Sequence, residues 1–242
     1  MKEKRTHRLV KTPKIAGRFL AEYMNASEQR RRSIVRSCKY RAIARVIQHD
    51  HARSAIGRFC HDPLFDVNDL KDREEQLRTA LASDPFERDL LDHNADYIAK
   101  FSKNFSKISA PYGGSISPPG ECPSIMLEGV KVTPEIAFRV SRVTKTNKFR
   151  IGAGTLRYSK GKALKEDEAI WQAAFLHGYL ARGNMEESAE AEGKLCLVVD
   201  AFSGKIHSAP SDAVSRFNNM EAACASIAER WDNIPPPNGA SI

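Results

Sequence analysis

The sequence has no long apolar run and little that is typical of an exported protein. No window of its 242 residues approaches 18 consecutive apolar residues, which argues against a membrane-spanning helix. Its first residues, MKEKRTHRLVKTPK, lack the apolar stretch of a secretory signal. We therefore expect a cytoplasmic protein without a membrane partner.

Cysteine is sparse and shows no ligand or disulfide spacing. The five cysteines, at positions 38, 60, 122, 196 and 224, form no CxxC pair and are typical of reduced, mostly buried thiols. The group His49, His51, Cys60 and His61 is dense, but its spacing matches no zinc site. The sequence predicts neither a metal site nor a cofactor.

Several catalytic and nucleotide-binding motifs are also missing. There is no P-loop and no GxSxG nucleophile motif. Gly152 and Gly154 form a GxG pair, but inside a strand pattern rather than at the strand-to-helix turn of a dinucleotide site, so they indicate a bulge or a close backbone approach.

Positive charge, by contrast, is abundant and concentrated at one end. Hydrophobic residues make up 41% and charged residues 28%, as in ordinary globular proteins. Residues 1–60 contain 16 Lys or Arg and four Asp or Glu, whereas the other 182 contain 22 and 26. Such asymmetry points to a polyanionic partner, and we favour nucleic acid, most simply DNA.

The clearest basic segment follows Ser27, which has the character of a helix N-cap. Three arginines in the first turns of that helix oppose its dipole, a cost that a phosphate-contacting site would tolerate. The alternative is an arginine-rich solvated face. The predicted nucleic-acid-binding residues are Arg30, Arg31, Arg32, Arg36, Lys39 and Arg41.

The element pattern predicts an α+β fold in two parts. Residues 1–109 form a mostly helical region, basic to about residue 60, whose first helix has Thr12 as its N-cap and Pro13 at its first helical position. Residues 110–123 form a Gly/Pro/Ser linker, 124–234 an α+β module and 235–242 a tail. The module has the order β-β-β-α-β-β-α, with residues 131–143 as one strand, and forms a mixed or antiparallel sheet packed by two helices.

A hairpin and a helix give the strongest local patterns of this module. Leu195 to Val199 is a continuous apolar run, typical of a strand covered on both faces, and Gly204 supplies the turn to a return strand around Ile206. One helical stripe follows and predicts a buried face; it comprises Val214, Phe217, Met220, Cys224, Ile227 and Trp231.

The segments LRYSKGK, WQAAFLHGYL, VVDAFSGKIHSAP and MEAACASIAERW, and more loosely AEYMNASEQRRR, resemble a group of uncharacterised bacterial proteins. The resemblance covers roughly the last hundred residues. It implies a shared fold and no particular activity.

A metal-dependent nuclease is an alternative function, so whether the chain is an enzyme stays open. The run of strands, helix and strand is similar to PD-(D/E)XK nucleases, which hold Mg²⁺ with carboxylates and a lysine. The candidate catalytic residues are Glu135, Asp200 and Lys160, with Lys162 as a substitute lysine. The third strand of the module, residues 149–158, has no acid two residues before its lysine, so a decayed, non-cleaving relative also fits.

Two further groups of residues have competing interpretations. Asp200 with His177 and His207 could perform acid-base chemistry, but Asp200 is more typical of a turn residue that accepts backbone hydrogen bonds. The third strand and its exit could hold a phosphate or be a lysine-protected edge strand; its cations are Lys148, Arg150, Arg157, Lys160 and Lys162. A third function, a protein-interaction adaptor whose basic face meets an acidic partner, also fits the charge.

Overall fold

The structure, a computed structural model, describes residues 5–43, 48–158, 164–183 and 189–242. Within these ranges the predicted α+β fold is confirmed, with helices on both faces of a central sheet. The α-helices are α1 (Gly17–Met24), α2 (Glu28–Lys39), α3 (Asp50–His61), α4 (Val67–Thr79), α5 (Pro85–Asn104), α6 (Glu166–Arg182) and α7 (Ala213–Trp231). The strands are β1 (His7–Leu9), β2 (Lys14–Ala16), β3 (Tyr40–Ala42), β4 (Ser115–Ser117), β5 (Ile125–Leu127), β6 (Val130–Thr133), β7 (Phe138–Val143), β8 (Phe149–Arg157), β9 (Ala189–Ala191), β10 (Leu197–Asp200) and β11 (Ile206–Ser208).

The central sheet is mixed, with the strand order β11-β10-β8-β7-β4. Strand β10 runs parallel to β8, and β9 pairs in parallel with the first residues of β8. The other neighbours in this sheet are antiparallel. Two smaller sheets stand beside it, β2-β6-β5 and β1-β3. Because β8 and β10 are parallel, their carboxyl ends lie at the same edge of the sheet.

Two hydrophobic cores flank the central sheet, and β10 contributes to both. Val198 lies in the core formed with α1, α2, α6 and α7, whereas Leu197 and Val199 lie in the core formed with α3, α4 and α5. Alternate side chains of a strand point to opposite faces, so a strand covered on both sides needs an unbroken apolar run. This explains the apolar sequence that predicted it.

The predicted hairpin and terminal helix are both present. Strands β10 and β11 pair antiparallel, and Gly204 in their turn has a φ of +76°. In α7 the predicted stripe is buried apart from its first member, Val214, which is exposed; the buried members are Phe217, Met220, Cys224, Ile227 and Trp231.

The helix predicted to begin at Thr12 and Pro13 starts later, at Gly17. Residues Lys14–Ala16 instead form β2, which pairs in parallel with β6, and Ile15 is buried in the core of α6 and α7. The main-chain N–H of Lys131 donates to the carbonyl of Pro13 at 2.9 Å. Pairing with a distant strand overrides the local helix-start pattern.

The single strand predicted over residues 131–143 is two strands in different sheets. Strand β6 ends at Thr133, and β7 begins at Phe138. Pro134 follows β6 directly, and it has no N–H to donate to a neighbouring strand. The four-residue connection between them, 134–137, turns the chain towards the central sheet and becomes part of the candidate site.

Residues on both sides of the predicted linker share each core. Leu20 and Phe175 lie in one core, and Ile98 and Val199 in the other. The predicted linker itself contains β4, which pairs antiparallel with β7. The division into two domains therefore stays a prediction. In the structure, residues from both regions contribute to each hydrophobic core. Among the described residues, no helix is both long and apolar enough to cross a membrane.

Cys122 should be the cysteine that reacts fastest with thiol reagents. Burial raises the pKa of Cys38 to about 11 and those of Cys60, Cys196 and Cys224 to about 12, whereas Cys122 is partly exposed. Only the thiolate form of cysteine reacts with such reagents. Near neutral pH, each unit by which the thiol pKa is raised therefore lowers the reactivity of that cysteine about tenfold. We expect a thiol reagent to modify one cysteine quickly in the folded protein and all five after denaturation. Rapid modification of two or more thiols in the folded state would contradict this burial pattern.

Candidate nucleic-acid interface

Two of the six predicted cations hold the ends of helices. Arg31 donates from Nε to the carbonyl of Tyr23 at 3.0 Å and from Nη2 to that of Met24 at 3.3 Å. Lys39 is buried, and its Nζ donates to the carbonyl of Trp231 at 2.6 Å and to that of Asp232 at 3.1 Å. These contacts cap the last carbonyls of α1 and α7, where positive charge is favourable.

The other four differ in exposure and partners. The side chains of Arg30 and Arg32 are 61% and 68% exposed, and they pair with Glu22 at 3.7 Å and Glu28 at 3.3 Å. Arg36 is partly buried, and its Nε has no hydrogen-bond partner among the described residues. Arg41 is exposed. Part of the positive charge of α2, the helix predicted to bind nucleic acid, therefore binds main-chain carbonyls inside the protein.

A basic groove forms where the carboxyl end of β8 meets α1 and α3. We define it by two adjoining cavities, a large one of about 630 Å³ and a small one of about 430 Å³, which share Arg18 and Glu135 in their walls. Cationic side chains line both parts. They are Arg18, Arg53, Arg58 and Arg157 in the large cavity and Lys14, Arg18 and Arg41 in the small one. Glu135 is the one carboxylate among the described residues that line either part.

Helix α3 supplies one wall of the large cavity because the lining residues share a helical face. Arg53, Gly57 and His61 are spaced four residues apart, and Arg58 lies beside Gly57 on the same side. A Cβ added at Gly57 would meet no atom within 4 Å, so the missing side chain helps keep this wall open. The two arginines pair with acids at the ends of their own helix; these are Arg53 with Asp50 at 3.6 Å and Arg58 with Asp62 at 2.9 Å.

Arg18 and Glu135 stand between the two cavities as a loose ion pair. Arg18 Nη1 lies 3.6 Å from Glu135 Oε1, and the guanidinium lies over the ring of Phe19 at 4.6 Å. Arg18 Nε and Glu135 Oε2 are buried, and neither atom has a hydrogen-bond partner within the described part of the chain. Buried polar atoms usually have partners, so the missing partners of these two atoms call for an explanation.

Arg157 forms the floor of the large cavity at the end of β8. It is buried, and it donates from Nη1 to Gln172 Oε1 and from Nη2 to Glu22 Oε1, both at 2.9 Å. Strand β8 lies between β7 and β10 in the sheet, so the interpretation of this basic segment as a lysine-protected edge strand is wrong. The charge of Arg157 is fixed in place by these two side chains.

The predicted catalytic residues lie in different surroundings. Glu135 lines the groove, and Lys160 lies outside the described residues. Asp200 is buried and accepts hydrogen bonds in the β10–β11 turn from the main-chain N–H groups of Phe202 at 2.9 Å and Ser203 at 3.2 Å. Its turn-residue interpretation is therefore confirmed.

A metal-binding cluster is not formed by the described side chains. They contain no group of three or more His, Cys, Asp and Glu residues suited to hold a metal ion. Within the described ranges the Asp200 side chain accepts from Leu164, Phe202 and Ser203, whereas His177 Nδ1 and His207 Nε2 are both buried without a hydrogen-bond partner there.

A comparison with protein-family models and with curated proteins found no match to this chain. The groove's own geometry therefore carries the functional argument. Arg18, Arg53 and Arg58 are not among the residues predicted from the sequence, because that prediction rested on the density of arginines at 30–32. The signal that it overlooked was the helical spacing of Arg53, Gly57 and His61.

Proposed function

We propose that this chain binds nucleic acid, most simply DNA, by placing phosphates along the basic groove. The observation that carries the proposal is the charge of the lining, which comprises six cationic side chains and one carboxylate. The acids that pair with Arg53, Arg58 and Arg157 are not among the lining residues. Arginines gathered in a concave site strengthen the local positive potential and contact phosphate oxygens through two N–H groups at once. The predicted cytoplasmic location, where nucleic acid is accessible, belongs to the same proposal.

Phosphate contacts determine how such binding responds to salt. Each phosphate that a protein neutralises releases condensed counterions, so the logarithm of the binding constant falls linearly with the logarithm of salt concentration. The slope is about −0.9 for each phosphate contact on duplex DNA. A groove of this composition should therefore bind DNA of mixed sequence with a steep salt dependence and little sequence preference.

Two matched variants locate the interface. Arg53→Ala with Arg58→Ala removes two charges from the groove, and Arg30→Ala with Arg32→Ala removes two from the exposed face of α2. All four arginines are exposed and paired at the surface, so both variants should stay folded. We expect the groove variant to reduce the salt slope by about two units and the α2 variant to leave it unchanged. The measurement is fluorescence anisotropy of labelled duplex and single-stranded DNA across a salt titration.

The reverse pattern, with loss only in the α2 variant, would favour the interface predicted from the sequence. Absence of binding at low salt would overturn the proposal and leave the protein-interaction adaptor. Cys122 provides a check without mutation, because it lines the large cavity and bound DNA should slow its modification. Cleavage that requires Mg²⁺ and is abolished by Glu135→Gln would instead favour the nuclease alternative.

A further inference from the structure

Three side chains that line the large cavity, those of Arg18, Glu135 and Tyr158, each have a buried polar atom without a hydrogen-bond partner among the described residues. Glu135 Oε2 and the hydroxyl of Tyr158 belong to side chains that line this cavity; both atoms are buried, and neither is hydrogen-bonded to any described residue. Leaving such groups unpaired costs about 1 to 3 kcal/mol each in folded proteins. Three of them around one cavity point to a ligand that supplies the missing partners.

Neighbouring groups hold both atoms in place. The ring of Tyr158 stacks on His49 at 5.6 Å and meets Tyr97 edge-on at 5.3 Å, so its orientation is restricted. Burial raises the pKa of Tyr158, which keeps the hydroxyl protonated and able both to donate and to accept. Glu135 is oriented by the contact of its other oxygen with Arg18. The polar positions are therefore set before a ligand enters.

The rest of this cavity combines apolar and cationic surface. Ile136, Ala137 and Leu156 contribute apolar side chains, whereas Arg18, Arg53 and Arg58 contribute charge. Its volume of about 630 Å³ lies inside the range of about 300 to 1,000 Å³ that is usual for small-molecule sites. This combination suits a flat, largely apolar group that has a few hydrogen-bonding positions on its edge and carries a phosphate. A nucleotide, with its base and its phosphate, has these properties.

We propose that the large cavity receives one unstacked base of the bound strand, and that Glu135 Oε2 accepts a hydrogen bond from an exocyclic amino group of that base. The hydroxyl of Tyr158 contacts a second polar position on the base edge. This inference rests on the proposed function, because the cationic groove delivers the strand whose base enters. It adds a preference among bases to a groove that otherwise binds only phosphates.

The chemistry of the carboxylate determines the preference. An ionised carboxylate only accepts hydrogen bonds, so it pairs with the amino group at C4 of cytosine and repels the carbonyl oxygen at C4 of uracil. These two bases have nearly the same size and shape. A difference in affinity between them therefore reports on hydrogen bonding rather than on packing. One good contact of this kind changes affinity for the wrong base by about tenfold.

The experiment compares short oligodeoxycytidine and oligodeoxyuridine of equal length at slightly alkaline pH, where cytosine is unprotonated. We expect the wild-type protein to bind the cytidine strand about tenfold more tightly. In Glu135→Gln the amide can donate as well as accept, so the affinity ratio should fall towards one. Tyr158→Phe, which removes only the hydroxyl, should weaken binding of the cytidine strand. Glu75→Gln makes the same change on the exposed face of α4 and should keep the wild-type ratio.

The outcomes separate the base site from the groove. Equal, salt-dependent binding of both strands by the wild-type protein would overturn the base site and leave the proposed function in place. A preference that persists in Glu135→Gln would also overturn it. If neither single strand nor duplex DNA bound the protein at low salt, both proposals would be overturned.

Discussion

Replacing Asp200 with alanine is expected to lower the free energy of unfolding by about 2 to 4 kcal/mol, a large share of the 5 to 15 kcal/mol of a typical domain. The side chain is 1% exposed. Its Oδ1 accepts from the main-chain N–H groups of Phe202 and Ser203, while Oδ2 accepts from Ser203 Oγ at 2.7 Å and from Leu164 N at 3.2 Å. Alanine would leave the Leu164 N–H buried without an acceptor, and it would remove the acceptor of three partly buried donors in the turn.

The effect should be large because Asp200 joins two parts of the chain. It holds the β10–β11 turn and also the backbone at Leu164, just before α6. Chemical denaturation of the variant, followed by far-ultraviolet circular dichroism, measures the loss. Asp200→Asn keeps one acceptor oxygen and should cost less, and Asp212→Ala, which breaks an exposed pair with Arg216, should cost less than about 1 kcal/mol. A loss below about 1 kcal/mol for Asp200→Ala would contradict this structural role.

Local patterns predicted the elements whose partners are close in sequence. The hairpin of β10 and β11 needs an apolar run, a glycine turn and a short return strand, and all of these lie within residues 195–208. The buried stripe of α7 follows from helical spacing alone. The start of β2 could not be predicted in this way, since its partner β6 lies more than a hundred residues further along the chain. A three-residue strand has too little pattern of its own to compete with a Thr-Pro helix start.

The candidate site was harder to predict than the fold, because charge density does not reveal which cations are free. Arg31 and Lys39 belong to the densest basic segment, yet their donors bind main-chain carbonyls at the ends of α1 and α7. Arg18 and Arg53 come from less basic stretches, and they line one cavity because α1 and α3 both lie beside the carboxyl end of β8. Glu135 was singled out as a possible metal ligand, and it lines the groove beside a cation, Arg18.

Gly152→Ala and Gly154→Ala should both destabilise the protein, for different reasons that a double-mutant cycle separates. A Cβ at Gly154 would lie 1.9 Å from the ring of Phe138, its cross-strand partner, and one at Gly152 would lie 2.2 Å from the carbonyl oxygen of Leu195. We expect losses of about 2 to 3 kcal/mol at Gly154 and about 3 kcal/mol or more at Gly152, measured by denaturant unfolding. The control Gly57→Ala, in a helix with open space around its Cβ, should instead stabilise by about 0.5 to 1 kcal/mol.

Rescue experiments test the two causes. Phe138→Leu replaces the ring that would clash with the Cβ of Gly154→Ala by a shorter side chain. The loss of unfolding free energy in the double variant should therefore be smaller, by about 1 kcal/mol or more, than the sum of the losses in the two single variants. No side-chain change can remove a main-chain oxygen, and Leu195→Ala should therefore leave the loss caused by Gly152→Ala almost unreduced. Additive effects at Gly154 and Phe138, or full rescue of Gly152→Ala by Leu195→Ala, would show that the close approaches in β8 are not what requires glycine there. The two glycines would then need another explanation, such as backbone freedom during folding, because neither has a positive φ that an alanine would resist.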